Sequence, residues 1–288
     1  MMNDSTHSSE PTWDIDIGPN RFFPTIRLME IVRYKSLLAF MVYRNFIVYY
    51  QQTILGPIWW VLQPALMCCA FVLIFGVILN VSTDGIPRPL FFFPGLILWH
   101  YFSHTFSFTA TLFSSQGSLF GKVYFPRLIL PIANLISSLI KLALQGVCLI
   151  VLYLIYASRG VDVSPNWCLL LFPILIVYLA VLSLGFGLLF NSLTYKYRDL
   201  SLTLPFIIQM WMFFSSIMFP LSRIPEKYHI YLALNPVLPA VEFLRYALYS
   251  RGAFDLLQFQ VGSAVCIIVL LLGLISFSQT EQTFIDSI

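Results

Sequence analysis

The 288 residues are 59% hydrophobic and only 10% charged, with a mean hydropathy of +0.83 and a formal net charge of +3 at pH 7. An ordinary globular chain carries about 25% charged residues, so this composition excludes a soluble domain and describes a membrane protein. The small net charge, with no basic run interleaved with aromatics, excludes a nucleic-acid partner.

Residues 1–25 form a polar stretch holding Asp4, Glu10, Asp14 and Asp16. They contain no apolar core followed by a cleavage site, so a polar cytoplasmic tail is expected and insertion falls to the internal apolar runs. Residues 26–288 are expected to form one transmembrane domain. Its first element, over 26–55, places Arg27, Glu30 and Arg33 on one helical side and Leu28, Ile31, Val32, Leu38 and Val42 mostly elsewhere. That pattern suits a helix lying in the membrane interface, with a loose cytoplasmic tail as the alternative.

The stretch YYQQTILGPIWWVLQP, Tyr49 to Pro64, joins this helix to the first apolar run. Gly56 and Pro57 are expected to break the surface helix, and Pro57 to open the next one at its first turn. Trp59 and Trp60 suit the headgroup level. Gln63 and Pro64 predict a kink with a polar side chain turned toward protein.

A bilayer core about 30 Å thick needs about 20 apolar residues of helix. Six runs are predicted, near 58–81, 89–113, 128–157, 167–192, 204–220 and 261–278. With the N-terminus inside, one side holds Arg21, Arg27, Arg33, Lys35, Arg44, Lys122, Arg127, Lys196 and Arg198. The other holds Arg88, Arg159, Arg223, Lys227, Arg245 and Arg251. The bias predicts both termini in the cytoplasm. The predicted fold class is therefore all-α integral membrane: six transmembrane helices, an N-terminal amphipathic interface helix, and re-entrant or surface helices on the outer side between spans five and six.

Lys141 is the one ionisable residue deep in a predicted span. Asn134, Ser137, Ser138 and Gln145 share its helical face. This stripe either borders a channel or an interface between two copies, or it is a structural lysine bonded to carbonyls or snorkelling outward. Aromatic residues make up 17% of the chain. Phe91–Phe93, Trp99–Phe102, Phe106–Phe108 and Trp211–Phe214 form patches that suit either a ring-lined path for sugars or lipid-facing packing. His100 and His104 have metal-ligand spacing, but no Glu follows His100 and no third ligand is in view, so no metal is expected. The five cysteines lie in or beside apolar runs without C-x-x-C spacing and read as inert buried thiols. Ser222–Gly252, interrupted by Pro225, Pro236 and Pro239, is too broken for a simple span and too apolar for a free loop. Within it, Glu242 and Arg245 are three apart and are expected to pair.

Several segments, in order, resemble one family. These are QTILGPIWWVLQP, GKVYFPRLILP (Gly121–Pro131), YRDL (Tyr197–Leu200), PLSRIPEKYHIYLALNPVLPAVEFLRYALY (Pro220–Tyr249) and TEQTFIDSI (Thr280–Ile288). Together they look like permease subunits of type-2 ABC exporters, nearest the branch that exports O-antigen-type polysaccharides on lipid carriers. The likeness covers roughly residues 30–288. The run RNFIVYYQQT departs from it, since the family usually has an acidic residue after the arginine and basic residues further on.

The resemblance implies a multi-pass permease of the bacterial inner membrane, paired with a second copy and with two separate nucleotide-binding ATPase subunits. It implies a lipid-linked polysaccharide as cargo, membrane lipid around the chain, and no cofactor bound by this chain, with ATP and Mg on the partner subunit. The chain has no G-x-x-x-x-G-K-[ST] loop, in agreement. The expected ATPase-docking residues are Arg44, Gly117, Gly121, Lys122, Tyr124 and Arg127. The expected channel or dimer-interface residues are Gln63, Trp99, Tyr101, Asn134, Lys141, Gln145, Trp211 and Phe214. Asn235, Pro236, Glu242 and Arg245 are the expected outer gate. Capsule, teichoic acid or a small lipid or drug is the alternative cargo. A membrane-embedded glycosyl- or acyltransferase is the remote alternative, with few charged residues to serve as acid and base. A non-catalytic membrane anchor is a third.

Overall fold

The computed structural model describes residues 32–51, 54–120, 125–161, 164–225, 232, 234–252 and 254–286. Gly121, Lys122 and Tyr124, the tail at 1–25, and both ends of the N-terminal element at 26–31 and 52–53 lie outside these residues. The described chain is helical: α1 Lys35–Gln51, α2 Trp59–Phe71 continued by a π-helix Val72–Ile78, α3 Arg88–Ala110, α4 Leu112–Phe120, α5 Ile129–Ser158, α6 Phe172–Lys196, α7 Arg198–Phe213, α8 Val237–Tyr249 and α9 Leu256–Asp286. Short 3-10 turns cover Gly56–Ile58, Trp167–Leu171 and Leu221–Arg223.

The break predicted at Gly56-Pro57 is present. Gly56 has φ +52°, a conformation that costs glycine little. Pro57 then opens the turn that runs into α2. α1 does not simply lie on lipid. It packs along α5, and Met41 is buried in a cluster with Leu112, Phe113, Ile129 and Phe277.

Among the described residues, four stretches are long and apolar enough to cross a membrane: Gly56–Ile78, Ile129–Ser158, Trp167–Lys196 and Leu256–Glu281. The runs predicted near 89–113 and 204–220 are not among them. α3 has the length, 23 residues. Its Arg88, His100, His104 and hydroxyl side chains lower its hydropathy. α7 has only 16 residues, short of the about 20 a bilayer core requires.

α3 is the centre of the molecule. It packs against α2, α5, α6, α7 and α8. Phe91, Phe92, Phe93, Trp99, Tyr101, Phe102 and Phe106 are all buried in the core of this one chain. The aromatic patches on α3 are therefore mainly interior packing rather than a ring-lined path. Phe102 and Phe106 meet Trp211 of α7 at centroid distances of 5.3 and 6.1 Å, and Phe186 of α6 meets it at 4.8 Å. Such edge-on pairs add stability beyond the area they bury.

α6 and α9 make an extensive contact around Gly185 and Gly273. A Cβ on Gly185 would sit 2.9 Å from the Leu270 backbone. Small residues let membrane helices approach this closely. Gly185→Leu is expected to push the two helices apart at a cost of about 1–3 kcal/mol. The check is a lower melting temperature of the purified chain in detergent, with Gly146→Leu, where nothing lies within 4 Å, as the neutral control.

Candidate functional site

Two ends of the bundle are tied differently. At one, Asn166 N–H donates to Ala247 O at 2.8 Å, Arg251 Nη1 to Gly85 O at 2.8 Å and Ser222 Oγ to Asp84 Oδ2 at 2.8 Å. At the other, Phe113 stacks on Phe277 at 5.1 Å, and Arg127 donates to Glu281 O at 3.1 Å. Arg127 is buried, and its guanidinium also lies 3.7 Å from Glu281 Oε1 and 5.7 Å from the Phe113 ring centroid. It was expected on a docking surface. It instead holds the C-terminal helix to the rest of the chain, because a guanidinium this buried needs partners on every side. Gly117 lies in α4, and Arg44 faces a cavity between α1 and α5.

Between α2 and α7 runs a groove of about 670 Å3, floored by α3. Trp59, Gln63, Leu66 and Met67 form one wall; Pro205, Ile208, Gln209 and Met212 form the other. Leu96, Trp99, His100 and Ser103 form the floor. The walls are largely apolar, with a few polar groups set among them, the usual chemistry of a cavity that holds an extended ligand. Outside the groove, α2 and α7 expose Leu73, Val77, Leu202, Phe206 and Phe214. Gln63 was expected to turn into protein; it is exposed and faces this groove. Trp99 is part of its floor, whereas Tyr101 points to a different cavity. Ser103 and Gln209 were not singled out from the sequence. Isolated polar residues in apolar helices were the signal that was there to be read.

Behind α2, the stripe on α5 meets α1, α2 and α3. Lys141 Nζ lies 3.0 Å from His104 Nε2, and His104 Nδ1 lies 3.2 Å from Ser138 Oγ. Ser138 donates to Asn134 O at 2.8 Å, so the serine proton is used there. His104 Nδ1–H then donates to Ser138, and Nε2 accepts from Lys141, which makes the imidazole neutral. Gln145 donates to Trp60 O at 2.8 Å, and Lys141 Nζ sits 5.5 Å from the Trp60 ring centroid. Trp60 was expected at the headgroup level; it is partly enclosed by α1 and α5, with Phe46 edge-on at 5.6 Å. Asn134 and Gln145 are buried within this one chain. The stripe lines internal cavities, and His104 completes it.

The four residues expected to form an outer gate occupy two adjoining clusters around the turn after α7. Asn235 Oδ1 accepts from Trp211 Nε1 at 3.0 Å and from Val237 N–H at 3.1 Å, while its Nδ2 donates to Phe214 O at 2.8 Å. Pro236 O accepts from Tyr178 OH at 2.6 Å. Arg245 pairs with Glu242 at 3.0 Å, as their spacing predicted, and both are almost wholly buried. Arg245 also donates to Ser216 O, Ile217 O and Phe91 O, and its guanidinium lies 3.7 Å from the Phe91 ring centroid. α8 is correspondingly enclosed by α3, α6 and α9, so it is a buried helix and not an amphipathic one lying on lipid.

These features define a helical protein with several segments long and apolar enough to cross a membrane and a groove between α2 and α7. A family model described as ABC-2 type transporter matches residues 36–249, and the chain belongs to that family. The chain is 27% identical over 267 residues to the O-antigen export system permease protein RfbA of Myxococcus xanthus, covering 91% of this chain and 100% of that one. It is 22% identical over 251 residues to the protein of the same name in Klebsiella pneumoniae, covering 87% and 94%. It is 26% identical over 242 residues to the polysialic acid transport protein KpsM of Escherichia coli, covering 81% and 89%.

Proposed function

We propose that this chain is the membrane permease of an ATP-driven exporter that moves a lipid-linked polysaccharide of O-antigen type out of the cytoplasm across the bacterial inner membrane. The groove between α2 and α7 carries the reading. Its lining is mostly apolar and sparsely polar, which suits a polymer that must slide without being held at one point.

Two copies of the chain bring their grooves together into one channel, and the apolar faces of α2 and α7 beside the groove cover each other. In this reading the chain crosses the membrane six times, with α3 and α7 shielded by their neighbours, and both termini are cytoplasmic. α8 and the turn before it form a re-entrant cap at the outer mouth. Two separate ATPase subunits bind ATP and Mg and dock near α1, α4 and the segment that holds Gly121, Lys122 and Tyr124. The chain itself performs no hydrolysis.

A mild-detergent pull-down of the tagged chain from its native membrane, with mass spectrometry and an ATPase assay, tests the assignment. A Walker-type ATPase is expected to co-purify near one-to-one. A chain that comes down alone, without ATPase activity in several detergents, would count for an anchor or an enzyme instead. Deleting the chain's gene separates cargoes: loss of surface O-antigen supports this reading, and selective loss of capsule moves it to a polysialic-acid-like polymer.

A further inference from the structure

The cavities around Lys141 carry a one-sided set of polar groups, and one of them shares Gln63 and His100 with the groove. A cavity of about 410 Å3 is lined by Arg44, Asn45, Trp60, His104, Asn134 and Lys141, among others. A second, of about 140 Å3, shares Trp60, His104 and Lys141 with it and adds Gln63, His100 and Tyr101. Gln63 and His100 also line the groove. The three spaces are therefore neighbours, leading from α1 past Lys141 toward the groove.

The charge balance is one-sided. Two cationic side chains, Arg44 and Lys141, line the larger cavity, and no Asp or Glu is among the described residues lining either one. The polar atoms at these walls point the same way. Asn134 is 4% exposed and its Nδ2, a donor, has no partner within the described chain. Tyr101 is 3% exposed and its hydroxyl, also a donor, has none. His100 Nε2, a donor or an acceptor according to the tautomer, is a third atom without a partner among the described residues. Buried donors left unsatisfied are costly, and native structures keep few of them without a reason. A ligand with several acceptor oxygens would satisfy them, and phosphate oxygens accept charge-assisted hydrogen bonds from lysine and arginine. Lys141 lies twelve residues into α5, about 18 Å along that helix, level with the first turn of α2 at Trp60. That first turn comes directly after the Gly56-Pro57 break, so the cavities lie where α1 gives way to the first apolar helix.

We propose that the two adjoining cavities bounded by α1, α2, α3 and α5 bind the phosphoryl headgroup of a lipid, with Lys141 between them, Arg44 and Asn134 on the larger and Tyr101 on the smaller. Ordinary anionic phospholipid and a lipid-diphosphate carrier share this chemistry. The Trp60 ring, packed on Lys141, closes the wall toward α2.

The test uses the full chain in detergent and needs no ATPase, so its failure leaves the export reading untouched. Binding of farnesyl diphosphate is compared with farnesol, which lacks the phosphates, and short-chain phosphatidylglycerol with phosphatidylcholine. The diphosphate is expected to bind ~10-fold or more tighter than farnesol, as about 1.4 kcal/mol of charge-assisted bonding would give. Lys141→Gln is expected to abolish that difference, and Lys141→Arg to retain it. Arg44→Gln, on the partly exposed α1, is expected to lower it ~3-fold and serves if Lys141→Gln does not fold. A phosphatidylglycerol preference with the same Lys141 dependence identifies bulk lipid as the source. A preference for the diphosphate alone identifies a lipid-diphosphate carrier. Binding that ignores the phosphate, or that survives at full strength in both neutral variants, overturns the site.

Discussion

Arg245→Met is expected to cost the protein about 3–5 kcal/mol, the loss that follows when one partner of a buried ion pair is removed. Methionine fills much of the space, so the cost is electrostatic rather than volumetric. Glu242, 1% exposed, would remain as an uncompensated carboxylate. The carbonyls of Phe91, Ser216 and Ile217 would lose their shared donor as well. Because those carbonyls belong to α3 and to the turn after α7, the damage extends beyond α8. The wall of the groove formed by α7 would lose the anchor at its C-terminal end. Thermal unfolding of the purified chain in detergent checks this. Adding Glu242→Leu to the variant is expected to restore part of the melting temperature, since it removes the stranded charge and leaves only the carbonyls unpaired. A single variant that melts with the parent would show that the pair and its carbonyl bonds contribute nothing to holding α8 against α3 and the turn after α7.

The second large effect is expected at the groove floor. Ser103→Trp places an indole where α3 presents a hydroxymethyl group between α2 and α7. The serine is partly exposed and its hydroxyl reaches only His100 O, at 3.4 Å, so folding depends little on it. Under the proposed export function, passage of a polymer is expected to depend on it strongly. A barrier raised by about 1.4 kcal/mol slows passage ~10-fold, and a ring across a narrow path should exceed that. Surface polysaccharide in a strain carrying only this variant is expected to fall by at least that factor, with protein level and melting temperature unchanged. Ile150→Trp on α5, where Ile150 is 59% exposed and remote from the groove, is the comparison expected to export normally. Normal export by the Ser103 variant would remove the groove from the transport path.

The region around Arg127 shows why local sequence reading and structure part company. A basic residue beside Tyr124-Phe125-Pro126 looks like an interfacial anchor on any helical or loop template. Its burial against Glu281 and Phe113 depends on helices 150 residues apart in sequence meeting at one end of the bundle, and no periodicity encodes that. The aromatic patches make the same point. Phe91–Phe93 and Trp99–Phe102 are as compatible with a lipid face as with a core. α3 is surrounded by five helices, and that fact alone decides for the core.

Other features were legible because their causes are local. The Gly56-Pro57 break follows from backbone dihedrals and the missing proline N–H. The Glu242–Arg245 pair follows from the pitch of one helix. The polar face around Lys141 follows from the same pitch on α5. Composition set the membrane class, since too few charges exist to cover a soluble surface. The tertiary structure alone decided which face of each apolar helix turns inward, that Lys141 meets His104, and that α2 and α7 part to leave a groove. In a membrane the lipid tails are as apolar as leucine, so hydrophobic periodicity no longer separates inside from outside. Close packing, small residues and the pairing of scarce polar groups make that choice, and each of them is settled between elements distant in the chain.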